Sequence, residues 1–321
     1  MNTYWAILFL VAGLVVLWKC ADWLVSGAVG LAERFNISPL VMGLTIVAMG
    51  TSAPEMAASI AAAARNAGNI AIGNIFGSNI ANLALVGGLC ALIRPIKVQS
   101  RALKREMPIM LISTVLLWPI LFNEYLSRIE GYIFLALFVA VMVWTISSAT
   151  KNNTKQNTLL TNIDKIHKFR PLKIDIFLVV IGLAGLAIGA DITLRGAVFI
   201  GGKIGLSDAV IGSTIIAVGT SLPELVTCVV ASLKKHDDIS IGNLVGSNIF
   251  NTLLVTGSAA VVKPFDVQDR FLGPDFAFLL AVSVAFFAFA LFGKRRINRL
   301  CGTLLIFSYA GYMLYLLAYN S

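Results

Sequence analysis

Two glutamates stand where an acid has no ordinary place. Glu55 closes the run GTSAPE (Gly50 to Glu55) and Glu224 closes GTSLPE (Gly219 to Glu224), each inside an otherwise apolar stretch. A charge held in hydrocarbon is costly and persists where it is paired or functional. Two carboxylates sharing one dry cavity repel, so a divalent cation, two or more monovalent cations, or protons must occupy it with them. The neighbouring residues supply what such a cation needs. Pro54 and Pro223 have no N–H for the carbonyls of Gly50 and Gly219, and ring crowding loosens the turns that hold Thr51 and Thr220. GTSxPE thus gathers carboxylate, hydroxyl and backbone carbonyl oxygens within a few residues, the donors taken by hard cations such as Ca²⁺ and Na⁺. A packing kink would explain either proline alone. It does not explain two prolines in register, each followed directly by Glu.

A second block accompanies the first. GNIFGSNIAN (Gly73 to Asn82) returns as GNLVGSNIFN (Gly242 to Asn251). Ser78 and Asn82 are four apart, which puts a hydroxyl and an amide on one helix face, and Ser247 with Asn251 repeats the arrangement. The spacings Gly73/Gly77 and Gly242/Gly246 predict small-xxx-small faces for close helix packing. Asn74, Asn79, Asn243 and Asn248 are expected to hydrogen-bond between helices rather than to hold an ion.

The elements that position these residues form an internal duplication. Every block lies 169 positions after its partner, with nine identities in 18 positions from Gly43 to Ile60 and ten in 16 from Gly73 to Gly88. The same offset joins Ala21 and Asp22 to Ala190 and Asp191, Gly27 to Gly196, Ser38 to Ser207, Pro95 to Pro264 and Arg101 to Arg270. The repeat therefore spans most of each half.

Composition sets the solvent. With 58% hydrophobic and 13% charged residues and a mean hydropathy of +0.86, 321 residues cannot hide their apolar surface in one water-soluble core. The first segment, Tyr4 to about Leu24, is longer than a signal-peptide core and belongs to the repeat. Others fall near 39–64, 70–93, 107–122, 129–148, 174–199, 208–233, 239–262, 273–293 and 300–319. The expectation is an all-α polytopic membrane protein of about ten transmembrane helices, arranged as a five-helix repeat in 1–149, a cytoplasmic linker in 150–173 and a second, inverted five-helix repeat in 174–321. Placing both termini outside puts 18 of the 25 basic residues on the cytoplasmic side, which orients the chain in a plasma (inner) membrane. An odd number of helices per repeat makes the two halves enter from opposite sides.

Other function classes lose their footing. The net charge of +9 is a topogenic bias scattered over short loops, so no nucleic-acid partner is implied, and no protein partner either. Cys20, Cys90, Cys228 and Cys301 stand singly, without metal-ligand or disulfide spacing. His167 and His236 fall in loops, and no Ser/His or Asp/His constellation accompanies the glutamates, so an enzyme is not expected. A cation channel would explain the acids, but usually builds its pore from several identical subunits. A secondary antiporter explains the inverted repeat, the broken helices and the acids together.

The two blocks, G-T-S-x-P-E and G-S-N-I-x-N, each present twice in inverted halves, resemble the alpha repeats of the sodium/calcium exchanger family within the calcium/cation antiporter superfamily. The resemblance looks like that to a minimal prokaryotic-type member and implies alternating access around one central site, with Na⁺ and Ca²⁺ competing as transported ions and no cofactor. By position it implies Glu55 and Glu224 as carboxylate ligands and Thr51 and Thr220 as backbone-carbonyl ligands. Ser52, Ser78, Ser221, Ser247, Ala48 and Ala217 would contribute to flanking Na⁺ positions, and Asn82 matches a central polar residue. Asn251 stands where many members carry aspartate, which leaves open the Na⁺ stoichiometry and any part for K⁺. The proton-coupled branch usually has G-N-x-x-E in place of G-T-S-x-P-E, so Na⁺ coupling is favoured over the proton-coupled alternative. The first and sixth helices are implied to be the moving element. On them, Asp22 with Lys19 and Asp191 with Arg195 have helix ion-pair spacing.

Overall fold

The computed structural model describes residues 2–157, 170–205 and 217–319. The first half runs through α1 (Thr3–Arg34), α2 (Pro39–Thr51), α3 (Ala53–Ala64), α4 (Gly68–Ile93), β1 (Ile96–Lys97), α5 (Met107–Leu121), β2 (Tyr125–Leu126) and α6 (Arg128–Asn157). The second half follows with α7 (Leu172–Lys203), α8 (Ala217–Thr220), α9 (Leu222–Leu233), α10 (Asp237–Val262), β3 (Phe265–Asp266), α11 (Asp269–Phe292), β4 (Arg296–Ile297) and α12 (Arg299–Tyr319). Taking α2 with α3 and α8 with α9 as one broken segment each, the described residues hold ten helical segments, five in each half. Among the described residues, seven helices are long and apolar enough to cross a bilayer, and the bent pair α2–α3 makes an eighth.

The short strands reveal the inversion. β1 pairs antiparallel with β4, and β2 pairs antiparallel with β3. β1 and β3 occupy the third-to-fourth helix connection of their halves, and β2 and β4 the fourth-to-fifth. A third-to-fourth connection can meet a fourth-to-fifth connection of the other half on one membrane face only if the halves are upside down relative to each other. Each strand pair thus closes one face of the bundle.

Burial separates core helices from peripheral ones. The apolar windows of α4 and α10 are 78% buried, whereas those of α1, α6 and α12 are 28%, 17% and 22% buried. Helices rich in Gly, Ser and Asn occupy the centre, and those carrying large apolar residues such as Trp5, Trp18 and Phe307 expose them on the outer surface. α1 and α7, 32 residues each, are about 48 Å long at ~1.5 Å per residue, more than hydrocarbon thickness requires. They cross backbone to backbone. A Cβ on Gly13 would lie 2.7 Å from the Thr193 nitrogen, and one on its repeat mate Gly182 would lie 2.9 Å from the nitrogen of Leu24, the mate of Thr193.

Several sequence expectations need correction. α1 continues to Arg34 rather than ending near Leu24, because a charged side chain marks where hydrocarbon ends and not where a helix must. α6 reaches Asn157 and α7 begins at Leu172, so helix enters the predicted 150–173 linker from both ends. Residues 158–169 with His167, and 206–216 with the start of the predicted 208–233 segment, lie outside the described residues. Asp22 does not pair with Lys19. It takes Lys234, 2.5 Å away, while Lys19 lies over the Trp23 ring. Asp191 does pair with Arg195, at 2.8 Å. The glycine faces also differ: Gly242 and Gly246 pack tightly on α2, whereas a Cβ on Gly73 would meet only the Phe271 ring at 3.4 Å and one on Gly77 would meet nothing within 4 Å.

Candidate functional site

The two broken segments are built alike. α2 stops at Thr51, Ser52 leaves the helical region at φ −83°, ψ 4°, and α3 restarts with Pro54 in its first turn, bent by 44°. Ser221 does the same at φ −88°, ψ 9°, with Pro223 in the first turn of α9. Proline tolerates that position because the N–H it lacks would have no helical acceptor there. Glu55 and Glu224 consequently fall in the first turns of 12-residue helices, where the positive end of the helix dipole favours a carboxylate.

The breaks face each other across the halves. Ser52 Oγ donates to Glu224 Oε1 at 2.9 Å, and Ser221 Oγ donates to Glu55 Oε1 at 3.4 Å. Each serine reaches the glutamate of the other repeat. Ser247 Oγ also points to Glu224 Oε1, at 3.5 Å. Glu55 and Glu224 are 1% and 0% exposed, and the Oε2 atom of each has no hydrogen-bond partner among the described residues. The side-chain oxygen and nitrogen of Asn82 and of Asn251 and the hydroxyl of Ser78 are likewise buried and unpartnered. Buried polar groups are ordinarily satisfied. Carboxylate, amide and hydroxyl oxygens left unpaired in this way are the donor types that a hard cation takes.

The backbone is widened where the amides sit. Ala81–Val86 and Phe250–Val255 are π turns at the 169-residue offset, and Asn82 and Asn251 are the second residue of each. Such turns recur at functional sites because they re-aim side chains inside a continuous helix. Of the remaining predicted residues, Ala48 and Thr51 are buried on α2, Thr220 is half-buried at the end of α8, and Ala217 opens α8 with its side chain outside the described residues. The Thr51 hydroxyl donates to Asn243 Oδ1 at 3.0 Å, a contact between halves.

The surrounding amides act as fasteners. Asn74 Nδ2 donates to the Glu55 carbonyl and to Ser59 Oγ, Asn79 Nδ2 to Thr252 Oγ1, and Asn243 Nδ2 to Cys228 Sγ. Asn248 differs from expectation, since its Nδ2 donates to the Leu244 carbonyl within its own helix. Thr252 and Cys228 were missed as partners. The position matching Thr252 in the first repeat is Leu83, so no repeat signal marks it, whereas Cys228 matches Ser59 and the pairs Cys228–Asn243 and Ser59–Asn74 are equivalent.

The site can hold either one divalent ion or monovalent ions in its place. Its two carboxylates balance one Ca²⁺, and among the described residues no group of three or more His, Cys, Asp or Glu gathers to add charge. Hydroxyl, amide and carbonyl oxygens must complete the six to eight donors Ca²⁺ prefers. Asn251→Asp would introduce a third carboxylate at a fully buried position. We expect it to bind an extra monovalent cation or a proton, so that Ca²⁺ uptake becomes more sensitive to pH or K⁺ than in the parent. Asn248→Asp, which loses its bond to Leu244, should mainly weaken packing. Superimposable pH and K⁺ profiles for Asn251→Asp and the parent would remove Asn251 from the site.

Comparison with known proteins adds relatives of nearly full length. The chain matches the family described as sodium/calcium exchanger protein over residues 5–147 and 174–318. It is similar to the putative antiporter CaxA of Alkalimonas amylolytica, 41% identical over 310 residues that cover 96% of this chain and 97% of the relative. It is also similar to the sodium/calcium exchanger MaX1 of Methanosarcina acetivorans, 34% identical over 342 residues, covering 96% and 97%. Among solved structures, the sodium-calcium exchanger NCX_Mj soaked with zero Na⁺ and Ca²⁺ superimposes with a TM-score of 0.84 at 30% identity, covering 98% of this chain and 100% of that one.

Proposed function

The chain belongs to the sodium/calcium exchanger family, and we propose that it uses the paired-glutamate centre as the single site through which it exchanges Na⁺ for Ca²⁺. It is a secondary antiporter working by alternating access, and Na⁺ and Ca²⁺ are its transported substrates. The observation that carries the assignment of the site is the reciprocal reach of Ser52 to Glu224 and of Ser221 to Glu55. That exchange between inverted halves puts both carboxylates at one centre, where a change in their relative tilt alters access from each face.

In this reading Glu55 and Glu224 neutralise Ca²⁺. Ser52, Ser78, Ser221, Ser247, Asn82 and Asn251 offer neutral oxygens, and the backbone at Ala48, Thr51, Ala217 and Thr220 completes the ligand set. Na⁺ competes because the same oxygens suit a hard monovalent ion and two Na⁺ balance the two carboxylates. The halves 1–149 and 174–321 are the two repeats. The excess of Lys and Arg on one set of loops supports an orientation with both termini outside, in a plasma (inner) membrane.

Uptake of ⁴⁵Ca²⁺ into proteoliposomes, with and without a Na⁺ gradient, tests this. Uptake is expected to require Na⁺ on the opposite side. Uptake that ignores the Na⁺ gradient and follows a pH gradient would make the protein proton-coupled, and passage of Ca²⁺ down its own gradient with no counter-ion would make it a channel.

A further inference from the structure

The repeat that pairs the glutamates also pairs charges flanking the bundle, and these are not in equivalent states. Lys234, just past α9, lies 2.5 Å from Asp22 Oδ1 and donates to Ser26 Oγ at 3.0 Å, fastening α9 to α1. A shift of 169 positions turns Lys234 into Arg65, just past α3, and turns Asp22 and Ser26 into Asp191 and Arg195 on α7. The corresponding contact is not made. Asp191 is held by Arg195 of its own helix, and the exposed Arg65 side chain has no ion pair or hydrogen bond among the described residues.

The helix faces beneath these charges differ in the same sense. Val230 and Ala231 are buried, 2% and 0% exposed, in an apolar cluster with Val25 and Ala28 of α1. Their mates on α3, Ala61 and Ala62, are exposed and half-buried. One repeat is fastened by its partner's long helix, while the other leaves the matching face partly exposed.

We propose that Arg65 and Asp191 form the second of two alternating charge latches. In the conformation reached by exchanging the roles of the repeats, α7 covers the Ala61 face of α3 and Arg65 takes Asp191, while Lys234 releases Asp22. This rests on the alternating-access reading above. Each latch stabilises one conformation and not the other, so each acts as a population shift. For a half-exposed pair the shift is about 1.4- to 5-fold in the ratio of the two conformations. Arg195, standing where the first repeat has Ser26, neutralises Asp191 while Arg65 is away and competes with it when it arrives. Arg65→Met and Arg195→Ser should therefore move the equilibrium in opposite directions.

The test uses the full-length protein in vesicles of a single orientation, with the apparent KM for Ca²⁺ measured at each face. Arg65→Met is expected to lower KM at the Arg65 face and raise it at the other, by about 1.4- to 5-fold, and Arg195→Ser to do the reverse. A general structural defect would move both variants the same way, and that result, or no shift in either, overturns the latch. As a second measurement, Arg65→Cys combined with Asp191→Cys should be bridged by a short bis-maleimide during Na⁺/Ca²⁺ turnover, with loss of exchange. Failure to bridge in a variant that still exchanges Ca²⁺ for Na⁺ overturns the latch and leaves the antiport reading standing. Absence of Na⁺-driven uptake in the unsubstituted protein would instead defeat the antiport reading.

Discussion

Glu55→Gln and Glu224→Gln are each expected to abolish Na⁺-driven Ca²⁺ uptake while leaving a folded, expressible protein. Glutamine preserves the volume and one oxygen donor, so the hydroxyls of Ser52 and Ser221 keep an acceptor across the halves. What disappears is one of the two charges that balance a divalent ion at a site that is at most 1% exposed at either glutamate. Removing one partner of a buried charge pair costs about 3–5 kcal/mol, which at ~1.4 kcal/mol per tenfold weakens Ca²⁺ binding roughly 10²- to 4 × 10³-fold. Thermal unfolding in the absence of Ca²⁺ should change little or rise, because two acids no longer repel. Uptake near the parent rate by either variant would show that its glutamate is not a core ligand.

The next largest effect is expected at the crossing of α2 and α10. A Cβ on Gly242 would lie 2.5 Å from the Leu40 carbonyl oxygen and 2.9 Å from Gly43 Cα, and one on Gly246 would lie 2.7 Å from Ala48 Cβ and 2.8 Å from the Leu44 carbonyl oxygen. Backbone atoms cannot rotate out of the way, so even alanine must push the helices apart. Overpacking of this kind costs about 1–3 kcal/mol. The damage to function should be larger than that cost suggests, because α2 carries Ala48, Thr51 and the break at Ser52, and the Thr51–Asn243 bond crosses this interface. Gly242→Ala and Gly246→Ala should lower both Tm and exchange, with exchange falling at least about tenfold if the ligands separate by a fraction of an ångström. A parent-like rate in Gly242→Ala would mean that α2 is not held in place by α10.

What could be read from the chain, and what could not, divides along a physical line. Features fixed by local chemistry and written twice were legible: the breaks at Ser52 and Ser221 follow from the prolines, and the pairing of the halves follows from the 169-residue offset. Features that depend on a partner far along the chain were not. Lys19, three residues from Asp22, offered a local ion pair, but the bundle brings Lys234 closer. The π turns around Asn82 and Asn251 were also invisible, since an α-helix and a π turn share the same apolar composition and differ only in which carbonyl each N–H meets. The two glycine pairs were legible as packing motifs, yet of these four residues only Gly242 and Gly246 meet a helix backbone, a difference set by the arrangement of the halves and not by the spacing.

A calcium anomalous-difference map from crystals of the protein would show whether one cation site lies between the two glutamates. A single dominant peak is expected within about 2.3–2.6 Å of carboxylate oxygens of both Glu55 and Glu224. It should vanish when Na⁺ replaces Ca²⁺ and when both residues are changed to Gln. A peak bound elsewhere, or one that persists with both glutamates replaced, would contradict the account.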